Sequence, residues 1–155
     1  MSPKLKQKIE AIERVVASIP SLPRYNRGRL PAEAAGPGIY ILSEGAEIQY
    51  VGRSKSIRKR VQQHSRPSSG HNSAPFAFRL AKVALKLGRA TYTKKGSRTE
   101  VEKTPAFRLA FSSAKNRIRA MDVRFVREDD AVTQAIMEIC IAVELKALHN
   151  DFDNH

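Results

Sequence analysis

The stretch Gly38–His64, which reads GIYILSEGAEIQYVGRSKSIRKRVQQH, determines the fold that the sequence predicts. It opens with two short apolar runs, Ile39–Leu42 and Ile48–Val51. The link between them is polar, contains a glycine and has the length of a hairpin loop. These features predict two adjacent antiparallel strands, whose tyrosines are either half-buried strand residues or parts of a site.

The second half of this stretch changes from strand to helical spacing. Ile57 and Val61 recur four residues apart, and this interval predicts a helix. Arg60 and His64 are also four residues apart, so both point to one side of it. Two serines are placed to cap its N-terminus, Ser54 and Ser56.

The spacing of these residues resembles that of the GIY-YIG nuclease family. Gly38–Tyr40 reads GIY, and Tyr50–Gly52 reads YVG with its tyrosine ten positions after Tyr40. Arg60 and His64 follow at the family's intervals, and a late glutamate and asparagine complete the pattern. The late pair is Glu138 and Asn150. The resemblance covers about a third of the chain, residues 37–64 and about 129–150.

The resemblance implies a metal-dependent DNA endonuclease that hydrolyses phosphodiester bonds. It implies one Mg²⁺ or Mn²⁺ per active site, held by Glu138, with oxygen ligands that suit these ions. Arg60 would clamp the phosphate oxygens, and either Tyr40 or His64 would take the proton from water. The implied catalytic residues are Tyr40, Tyr50, Arg60, His64, Glu138 and Asn150.

Three features depart from the family pattern. Ala147–His149 stands where proline and tyrosine often precede the final asparagine. Arg53 replaces the lysine that commonly follows the second tripeptide, and the segment Ser65–Arg119 is a long insertion. After Asn150 we expect no separate C-terminal targeting domain.

Glu138 stands out from its surroundings, because the run Ala135–Val143 (AIMEICIAV) is otherwise apolar. A carboxylate within a buried helix is costly unless a metal or a cation pairs with it. The alternatives are therefore a metal, an arginine partner, or a carboxylate that reaches solvent at an edge. Glu144 is the competing acidic residue, and Cys140 is expected to be a buried structural thiol.

The net charge of +13 comes from one third of the chain. Residues 48–99 contain thirteen Lys and Arg and no Asp or Glu, while the remainder holds fifteen of each sign. Such an unopposed charge indicates a polyanionic partner, and DNA is the first candidate. The predicted DNA-binding residues are Arg53, Lys55, Arg58, Lys59, Arg66, Arg79, Lys82, Lys86, Lys94, Lys95 and Arg98.

Composition limits the other classes of function. No apolar run approaches the roughly 20 residues of a membrane span, so we expect no membrane partner and a cytoplasmic protein. A single cysteine offers no zinc site. The alternative to a nuclease is a non-catalytic nucleic-acid-binding protein, which accounts equally well for the charge. One active centre cuts one strand, so double-strand breaks of the restriction or DNA repair type would require a homodimer or two visits.

The expected fold class is α/β, an α+β sandwich with a three-stranded antiparallel sheet flanked by helices. We expect a single domain over residues 1–155, with an N-terminal extension over 1–36 and a basic helical insertion over 65–119. The predicted strands are Gly38–Ser43, Glu47–Gly52 and Ala120–Arg127. The predicted helices, besides the one from Lys55, are Pro3–Ser18, Ser73–Leu87, Glu100–Ala114 and Asp130–Leu148.

Overall fold

The computed structural model describes residues 1–86 and 103–152. Within these ranges the α-helices are α1 (Pro3–Ser18), α2 (Ile57–Ser65), α3 (Pro75–Ala84), α4 (Pro105–Arg119) and α5 (Ala131–Glu144). The strands are β1 (Tyr25–Asn26), β2 (Gly38–Glu44), β3 (Glu47–Ser54) and β4 (Asp122–Arg127). The predicted α+β class, the hairpin β2–β3 and the bounds of α1 are confirmed.

The antiparallel sheet has four strands among the described residues, in the order β1-β4-β2-β3, so the prediction of three strands was wrong. The additional strand is β1, where Tyr25 pairs with Val123 and its ring lies 5.9 Å from that of Phe125, centroid to centroid. A two-residue strand has no period of its own, and it follows Pro20 and Pro23 in a segment that reads as a loop.

The contacts divide the chain into two compact units. The first contains Met1–Arg60 and the chain from Met121 onward, and the second contains Val61–Ala120. The second unit spans nearly the same residues as the predicted insertion, while the assignment of a single domain stays a prediction. Within the described residues, no helix combines the length and the apolar character that crossing a membrane requires.

The first unit is built on β2, which is buried along almost its whole length. One face of β2 carries Ile39 and Ile41 into a core formed with Met137 and Ile141 of α5. Alternate residues of a strand point to opposite faces, so Tyr40 lies on the other face. The sheet therefore separates an aliphatic core from the layer that contains the tyrosines.

A register shift in β3 allows that strand to serve both faces. Leu42 pairs with Tyr50, but Ser43 pairs with Ile48, so Gln49 is an extra residue in β3. Because a bulge resets the alternation, Ile48 and Val51 both join the aliphatic core although they are three residues apart. Tyr50 is thereby aimed to the same face as Tyr40.

The second unit packs α3 against α4 through a cluster of aromatic rings. Phe78 lies 5.0 Å from Phe107 and 6.4 Å from Phe111, measured between ring centroids. The Nζ atom of Lys115 donates to the carbonyl oxygens of Pro67 and Ser69 at 2.7 and 3.1 Å. This buried lysine satisfies two carbonyl groups in the loop after α2.

Three helix ends differ from the predicted ones. α3 ends at Ala84 rather than Leu87, since Lys86 takes a left-handed conformation (φ 56°). Lys86 therefore lies outside the basic side predicted for that helix. α4 runs on to Arg119, and α5 ends at Glu144 because Lys146 is left-handed (φ 53°). Neither lysine carries the glycine signal that usually marks such an end.

Candidate active site

Tyr40 and Tyr50 form a pair on one face of the hairpin. Their ring centroids are 6.2 Å apart, with an angle of 36° between the rings. Tyr40 pairs with Gly52 across the strands, and a Cβ atom at position 52 would collide with the Tyr40 ring and hydroxyl. The glycine of the second tripeptide thus has a steric reason, because it makes room for the Tyr40 side chain.

The Tyr40 hydroxyl is buried close to three other predicted catalytic residues, which affect its pKa. Tyr40 is 1% exposed, and its burial raises the pKa of the phenol well above the ordinary value. Tyr50 and, more weakly, Glu138 raise that pKa further, whereas a hydrogen bond and the charge of Arg60 oppose the rise. Four residues from β2, β3, α2 and α5 therefore share one electrostatic environment.

Arg60 is presented by the first turns of α2. The helix begins at Ile57, whose side chain is buried and whose N–H donates to the carbonyl of Gly36 at 3.1 Å. The hydroxyl of Ser54 accepts from the N–H of Ser56 at 3.0 Å, so the two candidate caps form a turn before the helix. The Arg60 N–H bonds to the carbonyl of Ser56 at 3.1 Å. These contacts fix the helix start, and with it the position from which Arg60 reaches Tyr40.

Glu138 is paired with an arginine. The Nε atom of Arg53, which is exposed, donates to Oε2 of Glu138 at 3.2 Å. The Glu138 side chain is 20% exposed, and burial raises the pKa of its carboxyl, while Arg53 opposes that rise. Among the alternatives left open by the sequence, a cationic partner is therefore present.

Asn150 holds the C-terminal segment against β3. Its Nδ2 donates to the carbonyl of Val51 at 2.7 Å, and the N–H of Val51 donates to its Oδ1 at 2.9 Å. The N–H groups of Leu148 and His149 donate to the carbonyls of Ile48 and Gln49. The Asn150 side chain thus pairs with β3 as a residue of a neighbouring strand would. Val51, the residue that it bonds, directly follows Tyr50 in the chain.

His64 is the one predicted catalytic residue that belongs to the second unit. It lies in α2 one turn after Arg60 and is 0% exposed. Within that unit its ring meets Phe76 edge-on, with 6.1 Å between centroids. Four of the six predicted catalytic residues therefore lie near one another: Tyr40, Tyr50, Arg60 and Glu138. Asn150 bonds to the backbone of Val51 in the same unit, and His64 belongs to the second unit.

The predicted DNA-binding residues differ in what holds them. Arg58 donates to the carbonyls of Leu30 and Pro31 at 3.0 and 2.7 Å, so it fastens the N-terminal segment to α2. Lys82 lies 5.8 Å from the centroid of the Phe78 ring. The exposed members are Arg53, Lys55, Lys59, Arg66 and Lys86; Arg79 and Lys82 are half-buried. Lys94, Lys95 and Arg98 lie outside the described residues.

A cleft of about 500 Å³ in the first unit was not foreseen from the sequence. Arg53 and Lys55 line it together with Asp129 and Gln134, near the N-terminus of α5. Gln134 is held there by its bond to the carbonyl of Glu128 at 2.6 Å. No sequence signal joins these residues, because they are some 80 positions apart and meet only through the packing of α5.

The chemistry of Glu138 fits a magnesium-type ion. Residues 1–86 and 103–152 contain no group of three or more His, Cys, Asp or Glu arranged to hold a metal. Mg²⁺ does not need such a cage, since it keeps several waters and is usually bound by one or two carboxylates with substrate phosphates. Glu138 can supply the one carboxylate of that pattern, because its half-buried side chain keeps some exposure to solvent.

No family model, curated protein or solved structure matched the chain. The candidate site is therefore interpreted from its own residues and their geometry.

Proposed function

We propose that the protein is a metal-dependent DNA endonuclease that hydrolyses phosphodiester bonds with a GIY-YIG site. One observation carries the proposal: the buried Tyr40 hydroxyl accepts a hydrogen bond from Arg60, lies near Glu138, and belongs to a ring whose centroid is 6.2 Å from that of Tyr50. A hydrogen-bonded arginine, two phenols and a carboxylate in one place supply the groups that phosphodiester cleavage needs.

Arg60 is the residue that neutralises the phosphate. Its planar guanidinium offers several N–H donors, so it can bond to Tyr40 and still clamp two non-bridging oxygens. Donors that are already oriented stabilise charge that grows in the transition state at little reorganisation cost. When bound at Glu138, a Mg²⁺ or Mn²⁺ ion would supply Lewis acidity to the same phosphate.

Tyr40 acts as a neutral hydrogen-bond donor in this account. Burial holds its pKa well above the ordinary value, so the phenol keeps its proton near neutral pH. Arg60 donates to the phenolic oxygen, and the O–H then donates to the attacking water or a phosphate oxygen. Tyr50 orients the same water from the neighbouring strand. The attacking water gives up its proton to bulk solvent.

DNA is the proposed substrate because of the concentrated positive charge. Lys55, Lys59 and Arg66 are exposed and carry three of the thirteen unopposed charges. Such contacts to phosphates give affinity and register but do not read bases. Sequence selectivity, a restriction or repair role and a homodimer for double-strand breaks are further parts of the proposal.

A second candidate, a nucleic-acid-binding protein without catalysis, is favoured by one observation. Glu138 is neutralised by Arg53, so the carboxylate proposed as a metal ligand already has a partner. A protein that only binds DNA would need no metal at this position. Both candidates predict DNA binding, so only cleavage separates them.

The test is nicking of supercoiled plasmid in Mg²⁺ or Mn²⁺ by the wild type, Glu138→Gln and Glu144→Gln. Glu144→Gln is the matched control, since it removes an exposed carboxylate from the same helix. We expect nicking by the wild type and the control, and none by Glu138→Gln, although all three proteins bind DNA. Equal nicking by Glu138→Gln would refute the metal role, and a wild type that binds but never nicks would support the second candidate.

A further inference from the structure

We infer that Arg53 competes with the divalent cation for Glu138, and that a DNA phosphate in the neighbouring cleft relieves this competition by attracting Arg53. The inference rests on the proposed function, because it takes Glu138 as the metal ligand. It assigns to Arg53 a regulatory role: the metal binds tightly only when DNA is present.

The contact between the two side chains is of a kind that can be exchanged. Among the described residues, Arg53 bonds to Glu138 through Nε alone, at 3.2 Å. Its two terminal nitrogens make no hydrogen bond with any residue in that part of the chain. A guanidinium that uses one of its donors keeps the paired N–H groups that suit a phosphate.

Exposure indicates which partner moves. The Arg53 side chain is 46% exposed, whereas Glu138 is 20% exposed and fixed on α5. Arg53 and Lys55 both line the neighbouring cleft. Asp129 lines the same cleft and weakens its positive potential, yet two cations outnumber one carboxylate there. A phosphate in the cleft would therefore draw Arg53 outward.

The carboxylate requires a cation in either state. A half-buried carboxylate without a partner is destabilised, so Arg53 neutralises Glu138 when the metal is absent, and the metal would do so when it is bound. Two cations cannot both occupy Oε2 at close range without repelling each other. By linkage, whatever factor DNA adds to metal affinity, metal adds to DNA affinity.

The first experiment measures Mn²⁺ binding to the free protein by electron paramagnetic resonance, without DNA and without turnover. Arg53→Met should bind Mn²⁺ about tenfold more tightly than the wild type, within the range of about 5 to 150-fold typical of coupled sites. Lys8→Met is the matched control, because Lys8 pairs at 3.4 Å with Asp130, the residue that caps α5 about two turns before Glu138. It should bind Mn²⁺ like the wild type.

The outcomes separate this inference from the proposed function. Loss of Mn²⁺ binding in Glu138→Gln, with Arg53→Met binding no tighter than the wild type, would overturn the competition and leave the metal role intact. Unchanged Mn²⁺ binding in Glu138→Gln would overturn the metal role, and the inference with it.

A second measurement needs no loss of charge and so remains valid if Arg53→Met does not fold. The Nε–H resonance of Arg53 is followed by nitrogen NMR in the wild type during titration with Mg²⁺, and Arg53→Lys assigns the signal. We expect the resonance to shift in proportion to Mg²⁺ bound, as the hydrogen bond to Glu138 is lost. Saturation with Mg²⁺ that leaves the resonance in place would contradict the inference.

Discussion

Tyr40 links the stability of the protein to its proposed chemistry. A buried phenol that donates a hydrogen bond must stay protonated, and burial favours the neutral form by raising its pKa. Arg60 and Glu138 act on that hydroxyl with opposite sign, so neither alone sets its state. The protonation of Tyr40 therefore affects the stability of the protein at high pH, which can be measured without any substrate.

The pH dependence of unfolding tests the state of Tyr40. Its pKa is higher in the folded protein than in the unfolded chain, so folded Tyr40 retains its proton at pH values where unfolded Tyr40 loses it. The contribution is fully present below the unfolded pKa of about 10 and is lost as pH rises from there through the folded pKa. In urea denaturation, the free energy of unfolding should fall more steeply over this pH range in the wild type than in Tyr40→Phe. Parallel curves for the two proteins would contradict the assignment.

The C-terminal end of α5 contains one residue with a strained backbone conformation. Lys146 adopts φ 53°, and the N–H of Ala147 bonds back to the carbonyl of Ala142 at 2.9 Å, as in a Schellman end. A left-handed conformation costs a residue with a Cβ atom roughly 1–2 kcal/mol, and glycine avoids most of that.

Lys146→Gly should therefore raise the free energy of unfolding by about 1 kcal/mol, measured by urea denaturation. Lys6→Gly is the opposite control, since Lys6 lies exposed inside α1 and glycine there should lower stability by about 1 kcal/mol. A loss of stability in Lys146→Gly would show that the Lys146 side chain contributes more than its conformation costs.

Elements with their own period could be predicted from the sequence. α1 has an apolar stripe and a proline in its first turn, and its bounds match the prediction. The hairpin β2–β3 follows from two apolar runs of matching length. The convergence of Tyr40, Tyr50, Arg60 and Glu138 was expected only from the spacing that resembles a family, because periodicity alone gives no distance between β2 and α5.

Features that depend on register or on distant side chains were not predictable. The two residues of β1 pair with β4 some 100 positions later. The extra residue Gln49 shifts β3 by one place, and this shift decides which face Tyr50 occupies. The pairing of Arg53 with Glu138 depends on the register of β3 and on the rotation of α5 about its axis, and neither can be read from the sequence.

For the whole molecule, the uneven charge distribution predicts how binding responds to salt. If 6–10 phosphates are contacted, affinity for DNA should fall about 10³–10⁵-fold between about 50 and 200 mM salt. Lys59→Gln should reduce the slope of log affinity against log salt by about 1, since Lys59 is exposed. Fluorescence anisotropy with a labelled duplex gives both values.

Arg58→Gln is the informative comparison, because it removes the same charge from the adjacent position. Arg58 is held by the carbonyls of Leu30 and Pro31, so its loss should lower stability and leave the salt slope unchanged. A nearly flat salt response in the wild type would argue against a nucleic-acid partner altogether.

The most direct test of the central claim is the rate of plasmid nicking in Mg²⁺ by Tyr40→Phe, measured beside the wild type and Tyr25→Phe. Tyr25→Phe is the matched control, since it removes a phenol from β1 and keeps the ring contact with Phe125. We predict that Tyr40→Phe nicks about 10²–10³-fold more slowly, as expected for the loss of one oriented donor, while Tyr25→Phe and the wild type nick at the same rate. Tyr40→Phe nicking at the wild-type rate, in a folded protein with unchanged DNA affinity, would contradict the account.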